Sequence, residues 1–122
     1  SGCNLAYANL SGQCLEKCEL FENNWSNANL SGASLMGSDL SCGTFSRDCW
    51  QQVNLRGCDL SYANLDEANL TNADLRGAML IGTNLRTAVV AGTQFRAADY
   101  DPQETHFPPG FDPIQAELKA DR

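Results

Sequence analysis

The chain has 122 residues, 43% of them hydrophobic and 19% charged, with a formal net charge of -7 at neutral pH. That length suits one domain with a compact core, and the negative balance argues against nucleic-acid binding through a cationic surface. No apolar run reaches the roughly 18 to 20 residues of a membrane span, and the first residues lack the basic start and apolar stretch of a signal peptide.

From the first residues onward the chain keeps a period of five, which belongs neither to a helix nor to a strand. Counting from Leu5 to Tyr100 gives 20 consecutive positions, filled by 14 Leu, Trp25, Trp50, Phe45, Phe95, Val90 and Tyr100. We call these the centres. Two residues before each centre sits a mostly small side chain, Ala at nine positions and Cys at 3, 18 and 58. The residue just before the centre is Asn or Asp in 12 cases, and the second residue after it is Gly in seven. A fixed short period of this kind marks a solenoid. In extended backbone the small residue and the centre face one way and the intervening Asn or Asp faces the other. The remaining two residues form a turn, and Gly or Asn in its second position suits the positive φ of a type II turn. Right-angled corners close after four units, which predicts a square coil of 20 residues with the centres on its axis.

These units, written "ANL", "ADL" and "CDL" in the chain, resemble the A(D/N)LXX motif of the pentapeptide repeat family. The resemblance covers residues 3 to 101 and implies an all-β fold, a right-handed quadrilateral parallel β-helix of about five coils. The tail motif "THFPPGFDP" is similar to the ending of many cyanobacterial members. What the resemblance implies for function is a non-catalytic structural or protein-protein interaction module, the repeat portion of a larger cyanobacterial and membrane-anchored protein. Its alternative is a DNA mimic that modulates a type II topoisomerase, since some members of the family act in that way.

Along the array, Ser1 and Gly2 already fit turn positions and Cys3 begins a side, so the repeat is in phase from the start. An uncapped first coil points to an excerpt of a longer array or to a partner covering it, and gives an expectation of end-to-end self-association. The one weak sector is "TFSRDCWQQVNL", where Asp48 takes a small inward position and Arg47 and Gln52 replace Gly at the turns. A buried carboxylate is costly without donors, so a distorted coil or a type I turn is expected there. In a regular coil no two cysteines lie close enough for a disulfide, so all six thiols are expected to be reduced, the exception being a bridge that distortion near residues 42 to 49 would allow.

Charge forms columns at the 20-residue spacing. Glu19, Asp39, Asp59 and Asp99 share one column, and Arg56, Arg76 and Arg96 another three residues earlier. Pairing of the two stripes across the corner is expected, and together they are the candidate interaction surface for an unknown protein partner. A solvated face with local pairing is the structural alternative. The Arg stripe argues against a DNA mimic, which needs a uniformly acidic surface.

Residues 102 to 122 leave the repeat for Pro, Phe and charge. Asp112 and Pro113 read as the N-cap and first residue of a short helix running to about Lys119. Phe107, Phe111, Ile114 and Leu118 would then cover the last coil. His106 is the single histidine, so a Ser or Cys nucleophile in the repeats has no base beside it and no enzyme is expected. No cofactor, no metal and no direct nucleic-acid binding are expected either. The compartment stays open, with the cytoplasm favoured over periplasm or lumen.

Overall fold

The computed structural model describes residues 4 to 120, so the reading of Ser1, Gly2 and Cys3 lies outside the described residues. Parallel bridges join positions 20 residues apart, beginning Asn4 to Asn24 and Asn9 to Asn29 and running without a break to Met79 with Asp99. Each side is therefore a single-bridge strand, and four sides complete one turn of the solenoid. Three backbone hydrogen bonds per regular unit tie neighbouring coils, one of them from the corner, where Gly32 N–H donates to Gln51 (3.0 Å). The N–H of a centre donates to the carbonyl 19 residues on, as Leu30 does to Cys49 (2.8 Å), and the N–H of an outward residue donates to the coil before, as Asn29 does to Ala8 (2.9 Å).

The corners follow from the same repeat. Most turns close by a bond from the next small residue back to the centre carbonyl, for example Ala28 to Trp25 at 2.9 Å, whereas the Cys18 N–H goes to the Ser38 hydroxyl at 3.1 Å. Its third residue takes a positive φ from Tyr7 through Ala97, with Thr87 the exception. Seven of these positions are Gly, which adopts this region freely. Arg47 (61°) and Gln52 (59°) are held there as well, so these corners keep the standard turn where a type I turn is expected. Cooperative pairing with the coils on either side outweighs the modest strain of a non-Gly residue. Thr87 is β-branched and avoids this region, where such residues are outliers. Its hydroxyl instead accepts the Glu67 N–H at 2.8 Å, where other corners offer a backbone carbonyl.

Inside, the centres from Trp25 to Leu85 are 0 to 1% exposed and stack with the small residues into one core. Each such burial contributes roughly 1.5 to 3 kcal/mol of transfer free energy. Trp25 stacks on Phe45 (5.8 Å between centroids) and Phe45 meets Trp50 edge-on (4.7 Å), so the tryptophans fill the core. Polar residues at small positions use their hydroxyls on centre carbonyls of the preceding coil. Ser38 donates to Leu15, Thr83 to Leu60 and Thr93 to Leu70.

Asp48 departs from expectation in the same way. It is 1% exposed, yet the coil around it is regular. One carboxylate oxygen accepts the Ala28 N–H (3.0 Å) and the other the Trp50 indole N–H (3.1 Å). Two donors meet the buried acid, and distortion is unnecessary. Burial still dominates and pushes its pKa up to about 7, while the Ala28 and Trp50 bonds pull it back.

The helical cap is a correction. No helix forms among the described residues, and the segment instead continues the winding. Strand β1 (Asp99–Tyr100) pairs in parallel with β2 (Lys119–Ala120), Asp99 against Lys119. Asp112 does cap a turn, its carboxylate accepting the N–H groups of Ile114 and Gln115. That turn ends at Glu117, where φ is +67°. A single helical turn is a costly nucleus, whereas the edge of the last coil offers backbone groups that must be paired. Ala97 N–H donates to Glu117 and Lys119 N–H to Ala98, at 2.9 and 2.8 Å. On the neighbouring side His106 bridges Asn84, 22 residues apart instead of 20, and Thr105 takes the small position with its hydroxyl on Leu80. Leu118, Phe107 and Phe111 pack on the core as expected, but Ile114 is 79% exposed.

Cys14, Cys18, Cys42, Cys49 and Cys58 are free thiols. Cys14 and Cys42 are exposed, and Cys58 is fully buried with its thiol pushed far above the ordinary range by desolvation. The thiolate is the nucleophile, so iodoacetamide should modify Cys14 and Cys42 in the native protein and Cys58 only after denaturation. Peptide mass mapping checks this, and early modification of Cys58 would contradict its burial.

Candidate interaction face

The coil register brings Glu19, Asp39, Asp59, Met79 and Asp99 into one bridged column that ends on Lys119. Each member is the outward residue of its unit. In Asp39 and Asp59 the carboxylate turns back to cap its own corner, accepting the N–H of Ser41 (3.0 Å) and Ser61 (2.9 Å). Asn residues in the equivalent position do the same, as Asn69 does for Thr71 at 3.1 Å. This local bond explains the Asn or Asp preference, because it satisfies a turn donor that the coil leaves open. Amide ladders are the secondary use. Asn84 donates to Asn64 at 3.3 Å and Asn24 to Asn4 at 3.5 Å.

The Arg column stands around the corner, but the two stripes do not pair as expected. Arg76 folds back two residues onto Asp74, with Nε and Nη2 on the two carboxylate oxygens at 2.9 and 2.8 Å. Arg56 approaches the same carboxylate from the coil before, at 3.8 Å. The Arg76 hydrogen bond holds the Asp74 carboxyl below its usual range, partly opposed by desolvation. The reason is geometric. An Arg directly after a centre has the outward residue directly before that centre on its own side, within reach of a fork-shaped guanidinium. Asp74 is thus the residue that sequence reasoning missed, although "ADLRG" at 73 to 77 carries its signal. Asp39 and Asp59 make no ion pair among the described residues. Asp99, at the end of the acidic column, meets Lys119 at 3.8 Å, and Arg47 meets Glu67 at 2.8 Å on another corner. The face is consequently striped, with Asp39 and Asp59 lacking a cation on one side of a corner and two arginines sharing one carboxylate on the other. Exposed pairs of this kind add little stability.

Among the described residues no cluster of His, Cys, Asp and Glu could hold a metal ion. His106 bridges Asn84 with its backbone at the last coil, on the side next to the one that carries Asp99. No helix of the described residues is long and apolar enough to cross a membrane.

A coil packed solid with side chains, with its chemistry spread over flat outer columns, defines a β-solenoid of the quadrilateral kind. The family pattern for pentapeptide repeats matches residues 14–47 and 51–86 in 8 copies. The chain belongs to the pentapeptide repeat family. It is 53% identical over 66 residues to pentapeptide repeat protein VPA0095 of Vibrio parahaemolyticus, a match covering 54% of this chain. That match spans 31% of the relative's length. Among solved structures it resembles a pentapeptide repeat protein of Nostoc Pcc 7120, with TM-score 0.67 and 38% identity, over 97% of this chain and 80% of that one. A pentapeptide repeat protein of the Arabidopsis thaliana thylakoid lumen aligns at TM-score 0.65 and 28% identity, over 94% and 73% of the two chains. QnrB1, a plasmid-mediated fluoroquinolone resistance protein, aligns at 0.51 with 21% identity, over 99% and 79%, which is a likeness of fold alone.

Proposed function

We propose that the chain is a non-catalytic protein-protein interaction module that engages its partner through the corner carrying Arg56, Arg76 and Arg96 and the adjoining acidic column of Glu19, Asp39, Asp59 and Asp99. The observation that carries this reading is that Arg56 and Arg76 share the single carboxylate of Asp74, which leaves positive charge on that stripe, beside Asp39 and Asp59, which make no ion pair among the described residues. A face of mixed sign favours a protein surface of complementary pattern, because charge complementarity fixes register and rejects wrong partners. The same mixture disfavours a DNA mimic, whose rod presents one sign throughout.

The test is a photo-crosslinking residue placed at position 56, compared with one at Ser46 on the opposite corner, in cells that express the protein. Position 56 should yield a discrete protein adduct and position 46 none, and the purified protein should leave gyrase supercoiling unchanged. Equal adducts from both corners, or none from either, would remove the assigned face. Salt-sensitive inhibition of supercoiling would replace the reading with that of a topoisomerase modulator.

A further inference from the structure

The Arg column is not uniform. Its last member stands in different company, because the outward residue that is Asp74 in one coil is Gln94 in the next. Arg76 therefore has a carboxylate two residues back, and Arg96 has a neutral amide in the same place. Arg96 is exposed and makes no ion pair among the described residues. It lines a notch of about 320 Å³ at the junction of the last coil and the tail turn, together with Arg76, Thr93, Gln94, Gln115 and Glu117. The Thr93 hydroxyl is already engaged on Leu70 O at 2.7 Å, and the Nε and Nη2 of Arg76 on Asp74. What remains free in the notch is the Arg96 fork, with two side-chain amides and the Glu117 carboxylate beside it.

We propose that this notch is a receptor for a single carboxylate presented by an acidic segment of a protein partner. The coil below shows the chemistry, since the same column position binds a planar carboxylate through both Nε and Nη2. A guanidinium fork matches two coplanar oxygens and is only partly hydrated, so it gains from a bidentate partner. The amides of Gln94 and Gln115 can donate to the outer lone pairs. The net charge of -7 opposes nucleic acid and an acidic peptide alike, so what the notch accepts is a single carboxylate, held at low affinity. Glu117 lines the notch without pairing to Arg96, and its charge sets the affinity low. This inference rests on the interaction-module reading and names the group that the face accepts.

The experiment is a titration of the isotopically labelled full chain with a tetraglutamate peptide blocked at both ends, following the arginine Nε–Hε signals at low salt. The Arg96 signal should move saturably, and the signals of Arg56 and Arg76 should move far less. Arg96→Gln should weaken binding about 10-fold or more while leaving the rest of the spectrum folded, and Glu117→Gln should tighten it about 3-fold, the scale of charge-pair effects at a rim. Arg56→Gln should stay within about 2-fold. A blocked tetraglutamine peptide should produce no shift. An unmoved Arg96 signal, equal losses in the Arg56 and Arg96 variants, or saturation by inorganic phosphate but not by the peptide would each overturn the assignment. If the peptide fails while crosslinking from position 56 succeeds, the carboxylate receptor falls and the module stands.

Discussion

Leu70→Lys should abolish cooperative folding, whereas Asn72→Ser, two residues further on, should cost about 1 kcal/mol, the scale of one residue held at positive φ. Leu70 is 0% exposed and lies in the column of Trp50 and Val90, with complete coils on both sides. A lysine there points at the axis and has no route to water past the stacked centres. The change removes roughly 1.5 to 3 kcal/mol of apolar burial and adds an unpaired charge whose effective penalty is several kcal/mol more. Against a total stability on the order of 5 to 15 kcal/mol, that is enough to unfold the chain. Asn72 is exposed on a corner at φ +59°, where Ser loses the amide's tolerance of this region and little else. Far-UV circular dichroism and urea unfolding report both variants. Equal effects would show that the centre does not face inward.

Stability should fall as the pH rises from 5 to 8, the reverse of ordinary acid sensitivity. Asp48 has a pKa of about 7 in the folded chain against 3.8 for a free side chain. Between those values the native state holds a proton that the unfolded chain has released, so the contribution is full below the lower value and is lost as pH rises through 7. At 1.36 kcal/mol per pKa unit the whole change is on the order of 4 kcal/mol. Asp74 acts in the opposite sense. Its folded pKa is lowered, so its contribution is present above the unfolded value and is lost at more acid pH. The two together predict a stability maximum on the acid side of neutrality. Asp48→Asn removes the titrating group and sets an amide N–H against the Trp50 indole N–H, a mismatch of about 1 to 3 kcal/mol. The variant should therefore be weaker than the parent at pH 5 and should lose the slope between pH 5 and 8. Urea midpoints across that range measure it. A parent protein with no slope would show that Asp48 ionises freely, against the burial that raises its pKa.

The centre of every five-residue unit was enough to define the array. Leu65, Leu70, Leu75 and Leu80 share one spacing, and extended sides with turns between them satisfy that spacing when the centres converge on an axis. The inward columns, the corners at Gly12 or Gly77 and the absence of disulfide-ready pairs among the described thiols follow from position in the period. So did the sharing of a column by Glu19, Asp39, Asp59 and Asp99. These features repeat, and each copy meets the same neighbours, so local sequence and environment coincide. Where the repeat fails, they separate. Asp48 stays in a regular coil because a backbone N–H 20 residues earlier and an indole two residues later reach it. Residues 113 to 120 forgo a helix because the last coil edge needs partners that only returning backbone can supply. Arg76 chooses Asp74 over the acidic column because the nearest carboxylate on its own side fits its fork. Periodicity determined the scaffold from the sequence alone. The partners of its exceptions were decided by the tertiary structure, because hydrogen bonds across coils depend on distances that no local window contains.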